Sequence, residues 1–158
     1  MTKLWGPLGW LTLHSVSLIY PENPSEAEKA IANRFLVLFS ETISCITCKN
    51  HFKIILTFYR HTYPNFLDSR QDFAMFVFRA HNSVNKRIDK PRPSTVAECL
   101  ASLRHATSHT SFAQFRKSYL NYLNRNSSND YSGDGMITKK SIKENPIEFN
   151  DNKKLFRL

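Results

Sequence analysis

A chain of 158 residues is long enough for one domain with its own core and little more. Apolar residues make up 41% and charged residues 22%, the balance of a globular protein. Only 4 glycines accompany 12 phenylalanines, which argues against a sheet protein built on tight turns and for helices. The net charge of +9 raises the question of a nucleic-acid partner, but residues 1–94 carry 12 basic and 7 acidic side chains and residues 95–158 carry 10 and 6. An excess spread this evenly along the chain reads as a solvated surface, and neither nucleic acid nor membrane is expected as a partner. A basic cleft for a phosphorylated cofactor needs only two or three cations and stays open. No apolar run approaches the roughly 18 residues that cross a bilayer. Nor is a signal peptide expected, since Trp5-Gly6-Pro7 interrupts the start and the apolar stretch after it carries His14. The expectation is a soluble, unsecreted protein.

The spacing predicts helices almost throughout. From Trp5 to Ile19, Leu8, Leu11, Val16 and Ile19 recur at helical intervals, with Trp10, Leu13 and Leu18 alongside, and Tyr20-Pro21 ends the run. Ser25-Glu26-Ala27-Glu28 is a capping box opening a second helix through Ala30, Ile31, Phe35, Leu38 and Phe39. Ser44 is placed to cap a third, running from Cys45 through Phe52, Ile55, Leu56 and Tyr59. Ser69-Arg70-Gln71-Asp72 opens a fourth through Phe73, Phe76, Val77, Ala80, Val84 and Ile88, and Lys90-Pro91-Arg92-Pro93 enforces a break. Thr95-Val96-Ala97-Glu98 begins a shorter fifth helix ending near Arg104. The fold class expected is all-α, a four-helix bundle with a short fifth helix. Residues 1–105 form the domain, and residues 106–158 a linker, an amphipathic helix from Ser111 to Leu123 and a weakly structured tail or the start of a separate module.

Three constellations could carry chemistry. Cys45-Ile46-Thr47-Cys48 puts two cysteines on adjacent turns at a helix start, close enough for a disulfide. The partial positive charge and free N–H groups there favour a thiolate, whose pKa falls one to several units below the free value of about 8.5. Two readings compete: half of a zinc site, completed by His51, His81 or Cys99, and a pair of buried core thiols. Structural zinc usually shows a second close-spaced ligand pair, which is lacking, so redox chemistry stands somewhat ahead. His81, Val84, Asn85 and Ile88 share one helix face with Asn82 and Lys86 beside it. Such polar groups on the inner side of a bundle need satisfying, whether by neighbouring helix ends or by a ligand. Lys86, Arg87 and Lys90 close that helix with cations suited to a pyrophosphate. Trp10 and His14 stand one turn apart on the first helix, where an indole can stack on a flat heteroaromatic ring and a histidine can add a polar contact. There is no Gly-rich phosphate loop, serine elbow or paired carboxylate on a predicted helix face. A dinucleotide would have to be held by the bundle itself.

Taken in order, Gly6-X-X-X-Trp10-X-X-X-His14, Tyr20-Pro21, Cys45-X-X-Cys48 and His81-Asn82-X-Val84-Asn85 with Lys90-Pro91 resemble the FAD-linked sulfhydryl oxidases of the Erv/ALR type, over roughly residues 4–92. The resemblance implies an FAD-binding bundle, working as a homodimer, that oxidises protein dithiols and passes the electrons through FAD to dioxygen, giving hydrogen peroxide. It places Gly6, Trp10, His14, Tyr20, His81, Asn82, Val84 and Asn85 around the flavin and its adenine, Lys86 and Lys90 near the phosphates, and His51 close by, with Cys48 beside the flavin. Pro7 stands where a basic residue is common. The family's long-range disulfide has only Cys99 near one of its ends, and the tryptophan common after the fifth-helix start is missing. The layout is most similar to compact members from large DNA viruses, for which host-cell cytoplasm or the virion would be the place of action. Cys45 is then the cysteine that a protein dithiol or a thioredoxin-like shuttle attacks, and Cys48 the one that hands electrons on. With three cysteines the chain cannot form a second intrachain pair, so Cys99 is expected to be a small buried thiol.

Overall fold

Apolar spacing of three and four residues becomes four α-helices in the computed structural model: α1 (Thr2–Ile19), α2 (Glu26–Glu41), α3 (Ile46–Thr62) and α4 (Arg70–Arg87). The structure describes residues 2–41, 43, 45–92, 95, 97–98 and 101, and among these there is no strand. The predicted linker, sixth helix and tail, and Cys99, lie outside the described residues. Of the fifth helix, Ala97, Glu98 and Ala101 are helical, and the Thr95 hydroxyl accepts the N–H of Glu98 at 3.2 Å.

The helix starts follow their caps. In the Ser25 box the Ser25 N–H donates to Glu28 Oε1 at 3.1 Å and the Glu28 N–H donates back to Ser25 Oγ at 3.2 Å, satisfying two donors that the first turn of α2 leaves open. Ser69 Oγ likewise accepts the N–H of Asp72 at 3.0 Å to open α4. Two boundaries differ from expectation. Helix α1 begins at Thr2, three residues before the expected start at Trp5, and runs through Gly6 and Pro7. Helix α4 stops at Arg87, and Ile88, expected on the inner face, is its C-cap and 48% exposed. The stop is a backbone device: Lys90 N–H donates to Asn85 O at 2.8 Å and Asp89 N–H to Lys86 O at 3.4 Å, with Asp89 in the left-handed region at φ 54°. This is the two-bond helix terminator that usually carries glycine at the left-handed position.

Inside, Leu13, Val16, Leu36, Phe39, Phe73, Phe76 and Val77 are buried almost completely, with Phe52, Leu56 and Tyr59 facing them from α3. Edge-on aromatic contacts interlock the helices, including Tyr20 on Phe73 at 5.1 Å and Phe39 on Phe52 at 5.3 Å. Consecutive helices run antiparallel, so the molecule has two ends. The α1–α2 and α3–α4 turns meet at one, where Tyr20 Oη donates to Leu67 O at 2.8 Å and Lys29 pairs with Asp68 at 3.0 Å. The start of α3, the end of α2 and the end of α4 meet at the other. No described helix is long and apolar enough to cross a membrane.

Candidate active site

Helix α3 begins on a sulfur. Cys45 is its N-cap, in extended conformation, and Cys45 Sγ accepts the N–H of Cys48 at 3.3 Å. Ser44, expected to cap, lies outside the described residues; the cap falls one position later, with sulfur as a weak acceptor in place of a hydroxyl. Cys45 and Cys48 are joined as a disulfide across 5.2 Å between Cα atoms. Both are half-buried, but Cys48 packs against the central core cluster and Cys45 does not, so the pair has an inner and an outer sulfur.

Behind Cys48 stands a wall of rings. Phe52, one turn further along α3, meets Trp10 edge-on at 6.3 Å. Trp10 lies face to face with His81 of α4, centroids 4.2 Å apart and planes 8° apart. His14 Nε2 and His81 Nδ1 share a hydrogen bond of 2.9 Å, one ring donating its N–H and the other accepting. The accepting ring must be uncharged, and the surroundings keep both rings so. Burial, then the proximity of His81, lowers His14 to a pKa of about 3; burial, then the positive charge of Lys90, lowers His81 to about 4. Val84 packs partly buried against the core on the same helix, and the side-chain oxygen of Asn82 is buried.

Cations gather at this end. Arg87, in the last turn of α4, reaches the α3 start and donates to the carbonyl of Thr47, between the two cysteines, at 3.5 Å. Half-buried His51 has its pKa lowered by burial and by Arg87. Lys86 and Lys90 are exposed on the same turn and its exit.

The structure thus brings together Cys45, Cys48, His51, Trp10, His14, His81, Asn82, Val84, Lys86 and Lys90. It sets one candidate apart. Tyr20 lies at the other end, without exposed surface, its hydroxyl bonded to Leu67 O and its pKa raised chiefly by burial and then by Glu28, Asp68 and Glu26. Asn85 Nδ2 donates to Pro91 O at 3.1 Å and so braces the chain leaving α4. Gly6 lies in α1, one turn before Trp10. Sequence reasoning passed over Lys49, which is 4% exposed beside Cys48, with its ammonium 4.0 Å from Glu41, whose other oxygen holds Lys53 at 2.6 Å. The available signal was Glu41 itself, the only acidic residue between Glu28 and Asp68. Among the described residues no group of three or more His, Cys, Asp or Glu side chains is placed to hold a metal, so the zinc set of Cys45, Cys48, His51 and His81 is not assembled.

The donor set suits FAD. Uncharged rings offer a surface for flat heteroaromatic rings, exposed cations flank it for a pyrophosphate, and a disulfide stands at its edge. Trp10 and His81 already touch, so a further ring lies against the stack or enters by parting it.

The sequence profile of the Erv1/Alr family matches residues 8–106. The chain belongs to the Erv1/Alr family. An FAD-linked sulfhydryl oxidase of African swine fever virus (isolate Tick/Malawi/Lil 20-1/1983) is 35% identical over 86 residues, covering 54% of this chain and 69% of that protein. The mitochondrial FAD-linked sulfhydryl oxidase ERV1 of Saccharomyces cerevisiae is 33% identical over 87 residues, covering 55% and 44% respectively. The crystal structure of the yeast Erv1 core is similar to this Erv1/Alr chain with a TM-score of 0.52 and 31% identity, covering 60% of this chain and 76% of that one. The all-α reading and the family resemblance of the motifs agree with these matches.

Proposed function

We propose that this Erv1/Alr chain is an FAD-linked sulfhydryl oxidase whose Cys45–Cys48 disulfide is attacked by protein dithiols. The observation that carries the reading is the capped disulfide at the start of α3, with Cys48 packed against the core cluster that holds Trp10 and Phe52. A substrate thiolate attacks Cys45 Sγ, the Cys45–Cys48 bond breaks, and Cys48 leaves as a thiolate. The second substrate thiolate then attacks the substrate sulfur of the mixed disulfide and releases Cys45. The Cys48 N–H that points at Cys45 Sγ stabilises the leaving thiolate in this second step. The substrate has lost two electrons and two protons, and the pair is left as a dithiol. FAD, when bound, takes these electrons from the dithiol and passes them to dioxygen, which becomes hydrogen peroxide.

Trp10, His14, His81, Asn82 and Val84 would line the rings of the cofactor, His51 would stand near its flavin end, and Lys86 and Lys90 would hold its phosphates. Keeping His14 and His81 uncharged avoids the cost of burying a charge beside the cofactor. In the same proposal the chain works as a homodimer, and the protein dithiol docks at Cys45 directly or through a thioredoxin-like shuttle. Residues 1–105 are the oxidase domain, a reading supported by the family match ending at residue 106.

The test is turnover of dithiothreitol by the purified yellow protein, followed by oxygen consumption and peroxide release. Cys45→Ser and Cys48→Ser should each lower the rate by about 1,000-fold or more, as expected for residues that act as a unit. Cys48→Ser should still form a mixed disulfide with a disulfide-bearing peptide at Cys45, and Cys45→Ser should react far more slowly. Wild-type turnover in either variant, or faster labelling of Cys48, would remove the assignment.

A further inference from the structure

The even spread of charge along the chain conceals a segregation in space. At the cysteine end, Lys53, Lys86, Arg87, Lys90 and Arg92 stand around the α3 start, all but half-buried Lys53 exposed. The acids there are few. Glu41 is engaged by Lys49 and Lys53, and Asp89 stands among the cations that close α4. The acids of the opposite end, Glu22, Glu26, Glu28, Asp68 and Asp72, sit around the two turns. Helix α3 carries no acidic residue at all and points its positive N-terminus at the disulfide. Beside the outer sulfur, Ile46 is 55% exposed, an apolar spot within the basic rim.

We infer that this rim is a docking surface selecting protein dithiols whose cysteines are flanked by acidic residues. The inference rests on the oxidase reading above, because a substrate must cover the ground around Cys45 to attack it. Two of the cations, Lys86 and Lys90, would be offset by the cofactor's pyrophosphate. Arg87 and Arg92 remain, and Arg87 is tied through Thr47 O to the backbone between the two cysteines. A cationic rim around a reactive centre raises the local concentration and on-rate of anionic partners by roughly 10-fold or more, and salt removes the effect within about a Debye length, near 10 Å at 0.1 M. A protein is favoured over a nucleic acid because the rim encircles a group that reacts with thiols.

The test compares two reduced Cys-X-X-Cys peptides, identical except that glutamates flank the cysteines in one and lysines in the other. Their kcat/KM values are measured with the full-length wild-type protein. Lysines make the neighbouring thiols more acidic and so more fully ionised, so chemistry alone favours the basic peptide. The expected result is a preference of about 10-fold or more for the acidic peptide at low ionic strength, falling to about 2-fold or less in 0.5 M salt. In Arg87→Gln/Arg92→Gln the preference should fall at least about 3-fold at low salt. Equal rates, a basic preference, or an acidic preference unmoved by both salt and the double variant would overturn the inference. So would nanomolar binding of a 20-nucleotide single strand at about 0.15 M salt, since non-specific binding is micromolar or weaker there. Dithiothreitol, which is neutral, reports the oxidase reading separately: if wild type fails to oxidise it, that reading has failed, not the selectivity.

Discussion

The two ends of the bundle are built by different means. At the turn end, side chains bolt one connection to the other: Tyr20 to Leu67 O, Arg70 to Tyr20 O and Glu22, and Lys29 to Asp68, with both capping boxes there as well. Lys29 and Arg70 engage Glu26, Asp68 and Glu22 there. At the cysteine end, the chain is held by a disulfide spanning three residues, the backbone terminator of α4, the bond between two uncharged histidines, and a buried lysine opposite Glu41. Charge there is lopsided. One end is optimised for staying closed. The other carries uncancelled cations and a bond made to be broken, features that cost stability unless function requires them.

Acid should separate the ends most. Below the ordinary histidine pKa of 6.5, the unfolded chain binds protons that folded His14, at about 3, and His81, at about 4, do not. Their contribution to stability is therefore complete above pH 6.5 and drains away as pH falls toward 4. The expected loss across that window is on the order of a few kcal/mol, read as a falling urea midpoint. In His14→Gln the slope should flatten, because the buried hydrogen-bonded ring that resists protonation is gone. An unchanged slope would mean that the pair at the ring wall does not govern acid sensitivity.

Tyr20→Phe probes the other end. Removing the hydroxyl leaves the Leu67 carbonyl buried without its donor, at a cost of about 1–3 kcal/mol. Because Tyr20 sits away from Trp10, His14 and His81, the loss should appear in the melting temperature and spare FAD affinity. A large loss of FAD affinity with an unchanged melting temperature would return Tyr20 to the cofactor set that the family resemblance gave it.

How legible all this was depends on the interaction concerned. The helices, both capping boxes and the cysteine pair could be read because each rests on residues within four positions of one another, the range over which local sequence dictates geometry. The grouping of Trp10, His14 and His81 could be read only through the family pattern, since 67 residues separate the bonded histidines. Pairings without a local signature were missed. Lys49 looks like any exposed helical lysine until the end of α2 places Glu41 opposite it. The bolting role of Tyr20 depends on Leu67, which the α3–α4 connection alone brings near. Charge was legible only as a count along the chain, which says nothing of how antiparallel helices sort it between two ends.

The smallest effect expected is a gain at the cysteine end. Asp89 holds φ at 54°, a region where a side chain is disfavoured and glycine is not, while the two terminator bonds from Asp89 and Lys90 need only backbone atoms. Asp89→Gly should therefore keep both bonds and relieve the left-handed residue, for a gain of about 0.5–1 kcal/mol in urea unfolding. Part of that gain is returned because glycine loosens the unfolded chain, which is why the figure stays below the full left-handed penalty. The substitution also removes an acid from the basic rim, so the acidic-peptide preference should rise with it. A destabilised Asp89→Gly would show that the aspartate side chain, and not the backbone terminator, ends α4.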